Sequence, residues 1–563
     1  MCGIHVSVSS SKPADISPEL KRCLCGRGPD HIATHETRLG DDDAGATHLA
    51  FTSTVLALRG DHVAQQPLVD PESGSVLCWN GEAWKIGNHD VSGNDGEMLA
   101  SFLREALQSA PAERQGAILS VFRLITGPFA FVFFDKASRK VYFGRDRLGR
   151  RSLLIRDDSK QLVLSSVAGS AHPLWKEVEA DGIYVLDLDT KEPLDTRERA
   201  RRTITRLDWL EGEAAMDAVS GIGRFNDTLP STGAPLASSS ASVTALRRQL
   251  TESLKLRVLN VPAPPGAGEL QVHTKIAVLF SGGLDCTVLA RLCHDLLPPD
   301  QGLDLINVAF ENPRVAANAQ KNKGPETLEL SDIYEACPDR LTGRKSFAEL
   351  QTVCPGRAFR FVAVNIPYSE YSSHKGEVTA LIYPHNTEMD LSIACALYFA
   401  ARGQGLASTD ATSDTSIPYT TPARVLLSGL GADELFGGYQ RHATAFSRQG
   451  YPGLVEELKL DVSRLGKRNL GRDDRAMSHW GKEVRFPFLD EELARWAIEI
   501  PVWEKCDFGQ PDGDVEPGKR ILRLLATELG MADVATEKKR AIQFGSRTAK
   551  MESGRTKGTT LLS

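Results

Sequence analysis

Cys2 stands directly behind the initiator methionine. Removal of Met1 would leave a chain that begins with a free amine beside a thiol. Such an amine has a pKa of about 7.7–8.0, so much of it is neutral near pH 7 and able to accept the thiol proton. One residue would then supply both nucleophile and base. A buried structural cysteine near the start of a strand fits the same position, and Cys2 alone does not separate the two. A second reactive stretch is SGGLDC, Ser281–Cys286, which follows the apolar run KIAVLF and precedes a helical pattern. Glycines let backbone approach phosphate, and the helix start behind them offers free N–H groups. This is not a Walker loop, because the Gly-Lys-Ser/Thr ending is missing. A tight strand-to-helix turn would read the same way. A third stretch is LLSGLGADELFGGYQRH at 426–442, where Asp433 follows another glycine-rich turn.

Two regions carry the regular patterns that would position these residues. From Cys2 to about Asp187 the segments GIHVSVS, THLAFTSTVLALRG, SVLCWNGEAW, GPFAFVFFD, KVYFGRD and QLVLSS suit strands, with turn residues between them. A helix is expected from Glu97 to Leu107, with Asp95 near its N-cap. Strands with intervening helix predict a layered α+β sandwich over 2–187. Residues 188–245 hold the charge-rich RERARRTITR and the small-residue run LPSTGAPLASSSASV, which read as a linker. From 246 to 563 short buried strands alternate with helices, which predicts an α/β, doubly wound parallel sheet. Leu284, Val288, Leu289, Leu292 and Leu296 have helical spacing. Pro313–Leu330 and Gln404–Thr421 read as mobile surface excursions.

The first region resembles class II glutamine amidotransferases along its whole length. The resemblance is carried, in order, by MCGI at the start, RGPD at Arg27–Asp30, WNGE at Trp79–Glu82, Asp95, and FGRDRLGRRSLL at 143–154. It implies an N-terminal-nucleophile αββα fold with Cys2 as the nucleophile. Asn80 and Gly81 would form the oxyanion hole, where one donor is worth roughly 2.7–4 kcal/mol of barrier. Glu82 and Asp95 would hold the glutamine α-amino group. Read alone, Asn80–Gly81 suits a hairpin turn, Glu82 a solvated carboxylate, and Asp95 a helix N-cap. The family's arginine for the glutamine α-carboxylate is missing. Counting back from Gln66–Pro67, its slot falls at Thr54, and Arg59 lies several residues further on. Either Arg59 takes over the role or glutamine binding is weaker, since threonine cannot copy a bidentate grip.

SGGLDC resembles the SGGxDS pyrophosphate loop of ATP-pyrophosphatases that make acyl-adenylates. Cys286 replaces the last serine, and a thiol is a weaker donor than a hydroxyl. The 426–442 stretch resembles the asparagine synthetase block SGEGxDE-FGGY, EVRFPFLD at 483–490 resembles EARVPFLD, and GKRILR at 518–523 places Lys519 where that family keeps a pyrophosphate-stabilising lysine. By itself Lys519 would be a solvated helix residue. The resemblance to the asparagine synthetase family implies a glutamine-dependent ligase that uses ATP and Mg²⁺. It would turn aspartate into asparagine through a β-aspartyl adenylate, releasing glutamate, AMP and pyrophosphate. Asp285 and Asp433 would be the magnesium ligands. Phe280, Ser281, Gly282, Gly283, Cys286, Val308, Ser428 and Gly429 would surround nucleotide and pyrophosphate. Leu430 departs from the family, which has glutamate there. Loss of a general base typically costs about 10²–10⁴ in rate. TEMDLSIACALYFAARG, PDRLTG at 338–343 and KKRAIQFGSRTAKME at 538–552 resemble a branch of the family with an aliphatic residue at the same place. Two other readings stay open: a degenerate homologue that keeps the fold and nucleotide binding, and an adenylating enzyme for another acid, as in β-lactam synthetases. The intact Cys2 opposes the latter, because cyclisation needs no ammonia.

Composition agrees with an ordinary globular chain. Of 563 residues 25% are charged, and 66 basic against 73 acidic residues leave a net charge of −7. A mildly acidic chain without a long basic run does not suit nucleic acid. No apolar stretch approaches the ~18 residues of a membrane span, and MCGIHVSVSSSKPADIS lacks a secretion pattern. Ten scattered cysteines suit reduced thiols and a cytoplasmic location. Cys23 and Cys25 form a lone CxC without a second pair at zinc spacing. The expected partners are therefore the small molecules glutamine, aspartate and ATP, with a homodimer left open.

Overall fold

The computed structural model describes residues 2–562, apart from 13–14, 41–45, 159–160, 190–203, 211–217, 220, 231–235, 266–272, 324–329, 414, 510–514 and 552–556. The amino-terminal region is a sandwich of two antiparallel six-stranded sheets. One sheet centres on the strands Gly3–Ser9 and Thr47–Val55, the other on Val76–Gly81 and Phe129–Asp135. Strand alternation sets the core: Ile4, Val6 and Val8 point inward against Val76, Cys78, Val132 and Phe134 of the facing sheet. The opposite faces of these last strands, Leu77, Trp79, Phe131 and Phe133, pack on the helices Asp95–Leu107 and Pro111–Arg123. The helix Pro18–Arg27 packs against the other sheet. These layers make the expected αββα sandwich.

The carboxyl-terminal region holds a seven-stranded sheet. Five strands are parallel, in the order Phe359–Ile366, Leu303–Phe310, Ile276–Leu279, Val425–Leu427, Glu483–Arg485. Ile276–Leu279 and Val425–Leu427 read as continuous apolar runs, as central parallel strands covered on both faces do. The chain runs outward from Ile276–Leu279 in one direction, then returns to the other side with Val425–Leu427. The carboxyl ends of these two neighbours therefore form a switch point, where open α/β sheets bind ligands.

Three sequence expectations need correction. Within 188–245, read as linker, Ile204–Asp208 is an edge strand paired with Gly182–Asp187, a hairpin joins Ala218–Val219 to Gly223–Arg224, and the helix Ala241–Val258 has already begun. The flanking charged and small residues hide these short elements. The rest of RERARRTITR lies outside the described residues. Gln404–Thr421 is not a loose excursion: Gln404–Ser408 and Ile417–Thr420 form a hairpin antiparallel to Phe359–Ile366. Polar residues are what an edge hairpin carries, and Tyr419 fastens it, donating to Asp304 at 2.9 Å and accepting from Arg360 at 2.7 Å. Pro313–Lys323 and Leu330–Glu335 are helices, with 324–329 outside the described residues.

Buried arginines join the two regions. Arg27 pairs with Asp474 at 2.9 Å and Arg475 with Glu177 at 3.1 Å. Arg150 bonds Asp146 at 2.9 Å, the carbonyl of Leu489 at 2.7 Å, and Glu491. The RGPD and FGRDRLGRRSLL motifs thus serve the junction. All ten cysteines are free thiols. Among the described residues no helix is long and apolar enough to cross a membrane.

Candidate active sites

The first chamber lies at the head of the strand Gly3–Ser9. Thr54, opposite Gly3 across the sheet, accepts the Gly3 N–H at 3.0 Å and donates to the Leu24 carbonyl at 2.7 Å. Arg27 Nε donates to the Cys2 carbonyl at 3.3 Å. Cys2 is held by these contacts on a cavity that Arg59, Gln66, Gly81, Glu82 and Asp95 also line. Gln66 Nε2 lies 4.0 Å from the Cys2 sulfur, and its Oε1 accepts the Trp79 N–H at 2.9 Å. Burial pushes the Cys2 thiol up. The cavity is narrow, about 30 Å³.

Each expected residue has a definite setting. Asn94, not Asp95, caps the helix, accepting the Glu97 N–H at 3.1 Å. Asp95 is thus free to turn inward, where it accepts Trp79 Nε1–H and Ala83 N–H, both at 2.9 Å. Asn80 is fully buried in the strand Val76–Gly81, and neither of its amide atoms has a hydrogen-bond partner among the described residues. A buried amide left unpaired is costly; Gly81 lines the cavity, whereas Asn80 is not among its lining residues. Glu82 is not solvated: it is 1% exposed and ion-paired to Arg485 of the second region. Burial pushes Glu82 up, against the pull of Arg485. Nearby Glu483, on the same cavity, is held down by Arg485 and Arg151 despite its burial. Thr54 braces the chain start and does not line the cavity. Arg59 does line it, with Nη2 donating to the Val91 carbonyl at 3.0 Å and a buried Nε that has no partner among the described residues.

The second chamber, about 850 Å³, sits at the switch point of the parallel sheet. Phe280, Ser281, Gly283, Asp285, Cys286, Val308, Ser428, Gly429, Asp433 and Lys519 all line it. Gly282 is turned away, at φ 80°, and a Cβ there would lie 2.4 Å from the Gly343 nitrogen, so only glycine fits. Gly429 is packed as tightly, with a Cβ falling 2.8 Å from that of Asp285. Asn307 fixes the loop by donating to the Phe280 carbonyl at 2.9 Å. The Cys286 thiol donates back to the Gly283 carbonyl at 3.2 Å.

The two aspartates converge on one ammonium. Lys519 Nζ lies 2.7 and 2.9 Å from the Asp285 oxygens and 3.0 Å from Asp433 Oδ1. Lys519 is held left-handed, φ 53°, at a cost of about 1–2 kcal/mol, just before the helix Arg520–Glu528. Lys539 closes the cluster, 2.5 Å from Asp433 Oδ2. Burial pushes Asp285 up, while for Asp433 the two ammoniums outweigh burial and hold it well below the usual range. Two hard carboxylates meeting at one point, in a cavity open to a ligand, form a donor set that suits Mg²⁺ completed by phosphate oxygens and water. Sequence reasoning did not single out Lys539 or Arg485, although KKR at 538–540 and the arginine of EVRFPFLD were visible.

Comparison with known proteins gives the same division. The family model for the glutamine amidotransferase domain matches residues 1–186, and that for asparagine synthase matches 419–458 and 447–559. Asparagine synthetase domain-containing protein 1 of Bos taurus is 33% identical over 99% of this chain and 97% of that protein. Asparagine synthetase domain-containing protein YML096W of Saccharomyces cerevisiae is 34% identical over 96% of this chain and 90% of that protein. A putative glutamine-hydrolysing asparagine synthetase of Methanocaldococcus jannaschii is 25% identical over 90% and 83%. The chain belongs to the asparagine synthetase family, within the group named for its asparagine synthetase domain.

Proposed function

We propose that the chain is a glutamine-hydrolysing, ATP-dependent ligase that converts a carboxylic acid to its amide. The reading is carried by one combination: a thiol at the chain start among Gly81, Glu82 and Asp95, joined in one chain to two aspartates converging on Lys519 at a sheet switch point.

In the first chamber the α-amine freed by removal of Met1 takes the Cys2 proton, and the thiolate attacks the glutamine side-chain carbonyl. The Asn80 amide and the Gly81 N–H take up the developing oxyanion. Ammonia leaves, and water then hydrolyses the thioester to glutamate. Glu82 and Asp95 receive the glutamine α-ammonium, and Arg59 takes the α-carboxylate. In the second chamber an acid oxygen attacks the α-phosphorus of ATP and pyrophosphate departs. Ammonia then attacks the acyl carbon and AMP leaves. Phe280, Val308, Ser428 and Gly429 hold the nucleotide. Ser281, Gly283, Cys286 and Lys519 meet the pyrophosphate, and Gly282 shapes the turn that presents them. Asp285 and Asp433 would hold Mg²⁺, which supplies charge neutralisation to the phosphates. With aspartate, the acid the family resemblance implies, the product would be asparagine. Ten free cysteines suit a cytoplasmic setting for this chemistry.

The test is AMP and glutamate release by purified protein given Mg·ATP, glutamine or ammonium, and aspartate or other carboxylic acids. AMP from neither nitrogen donor with any acid would sink the reading.

A further inference from the structure

We propose that Ser346, acting with Asn307, is a positioning residue of the second chamber: it turns the glycine loop so that the loop's N–H groups face the pyrophosphate end of the nucleotide. This rests on the ligase reading and extends it to the helix Pro338–Val353.

The loop at 280–283 is fastened by its carbonyls. Ser346 Oγ donates to the Gly282 carbonyl at 2.7 Å, and Asn307 Nδ2 to the Phe280 carbonyl at 2.9 Å. Both side chains are buried. In a trans peptide the C=O and the N–H point opposite ways. A carbonyl held toward the helix therefore sends the N–H of the same peptide toward the chamber. The Gly283 N–H meets Ser281 Oγ at 3.3 Å, and both residues line the chamber. The N–H groups of Ser281 and Gly282 follow: burial pushes the Cys286 thiol up, and these two, turned to its sulfur, oppose the rise. Three successive N–H groups so directed make a concave seat for an anion, backed by the start of the helix Leu284–Leu296. Glycine adopts the flipped peptide about as readily, which would aim a carbonyl at the phosphates instead. The bond from Ser346 selects the orientation.

The PDRLTG run at 338–343 brings the helix to the loop. Gly282 and Gly343 meet backbone to backbone: a Cβ on Gly282 would lie 2.4 Å from the Gly343 nitrogen, and one on Gly343 2.7 Å from Asn307 Nδ2. Arg340 sets the Asn307 amide. A guanidinium only donates, and Arg340 Nε donates to Asn307 Oδ1 at 2.7 Å. Asn307 Nδ2 is thereby turned to the Phe280 and Asp339 carbonyls, both at 2.9 Å. Arg340 is fully buried and also donates to Asn365 Oδ1 at 2.8 Å and Glu335 at 2.7 Å. The run thus supplies the gap at Gly343 and the orienting donor at Arg340, with Ser346 one turn further on.

The test is equilibrium dialysis of Mg·ATP and of AMP against the full chain and its Ser346→Ala variant. Loss of the hydrogen bond is expected to raise the Kd for ATP about fivefold to tenfold, the scale of one neutral hydrogen bond. The Kd for AMP is expected to stay within twofold, because AMP has no β- and γ-phosphates to meet the loop. A role confined to stability would move both constants together or neither. Gly343→Ala, whose methyl displaces the Asn307 amide, is expected to show the same split. Ser346→Cys, a weaker donor of similar shape, stands in should Ser346→Ala fail to fold. Equal weakening of ATP and AMP in a folded variant, or a Kd for ATP within twofold of the parent, would overturn the proposal and leave the ligase reading standing. A parent chain that binds no ATP would overturn both.

Discussion

Arg485 pairs its guanidinium with Glu82 on the wall of the Cys2 cavity, while its own carbonyl accepts the Ser428 N–H of the second chamber at 3.0 Å. One residue therefore touches both sites. Its Nε also bonds Glu483 at 2.7 Å, and its guanidinium lies 5.4 Å from the Trp84 ring. Arg59 approaches the same ring at 5.6 Å.

Arg485→Met should be strongly destabilising. It leaves Glu82 and Glu483 buried without their main counter-charge, and breaking such a pair costs about 3–5 kcal/mol. Urea unfolding should show the loss, with partial recovery when Glu82→Gln is added. An unchanged midpoint would mean that the pair is not formed in solution.

Cys2→Ala should abolish glutamine use and spare any ammonia-dependent activity. The readouts are glutamate release and AMP release, measured separately. Equal loss of both would assign Cys2 a structural role.

Arg59→Met should raise KM for glutamine about 10–100-fold, the worth of one or two charge-assisted hydrogen bonds, with ammonia-dependent turnover unaffected. A KM within twofold of the parent would show that another group holds the α-carboxylate.

Lys505 is fully buried, and burial pushes its ammonium down to about 7 from an ordinary 10.5. Only the face of Phe225, at 4.5 Å, compensates among the described residues. Between pH 7 and 10.5 the unfolded chain binds more protons here than the folded one. Stability should therefore rise with pH across that window, by at most ~1.4 kcal/mol per unit from this group. The neighbouring Cys506 thiol, pushed up to about 12 by burial, stays neutral throughout. Lys505→Met should raise the melting temperature most near pH 7 and least near pH 10. A parallel shift at every pH would contradict the assignment.

Much of this was legible in the chain. Apolar runs such as KIAVLF and LDLINVAF announced buried parallel strands, and the glycine loops at 281–283 and 428–431 border the large chamber at the sheet's switch point. The hairpin within Gln404–Thr421 was not legible, because an edge pair needs no alternating apolar face and its anchors, Asp304 and Arg360, lie far away in sequence. Nor was the fate of Glu82. Its motif suggested a ligand contact, whereas its partner Arg485 is 403 residues distant. Lys539 escaped notice because a basic triplet usually marks a solvated surface, and only the folded chain brings it to Asp433.

The central claim is that Asp285 and Asp433 form a magnesium-dependent nucleotide site. It is tested most directly by equilibrium dialysis of ATP against the parent chain and Asp433→Asn, each with and without Mg²⁺. The claim predicts binding that strengthens with Mg²⁺ in the parent and loses that dependence in the variant. ATP binding that is absent from the parent, or equally magnesium-dependent in both proteins, would contradict it.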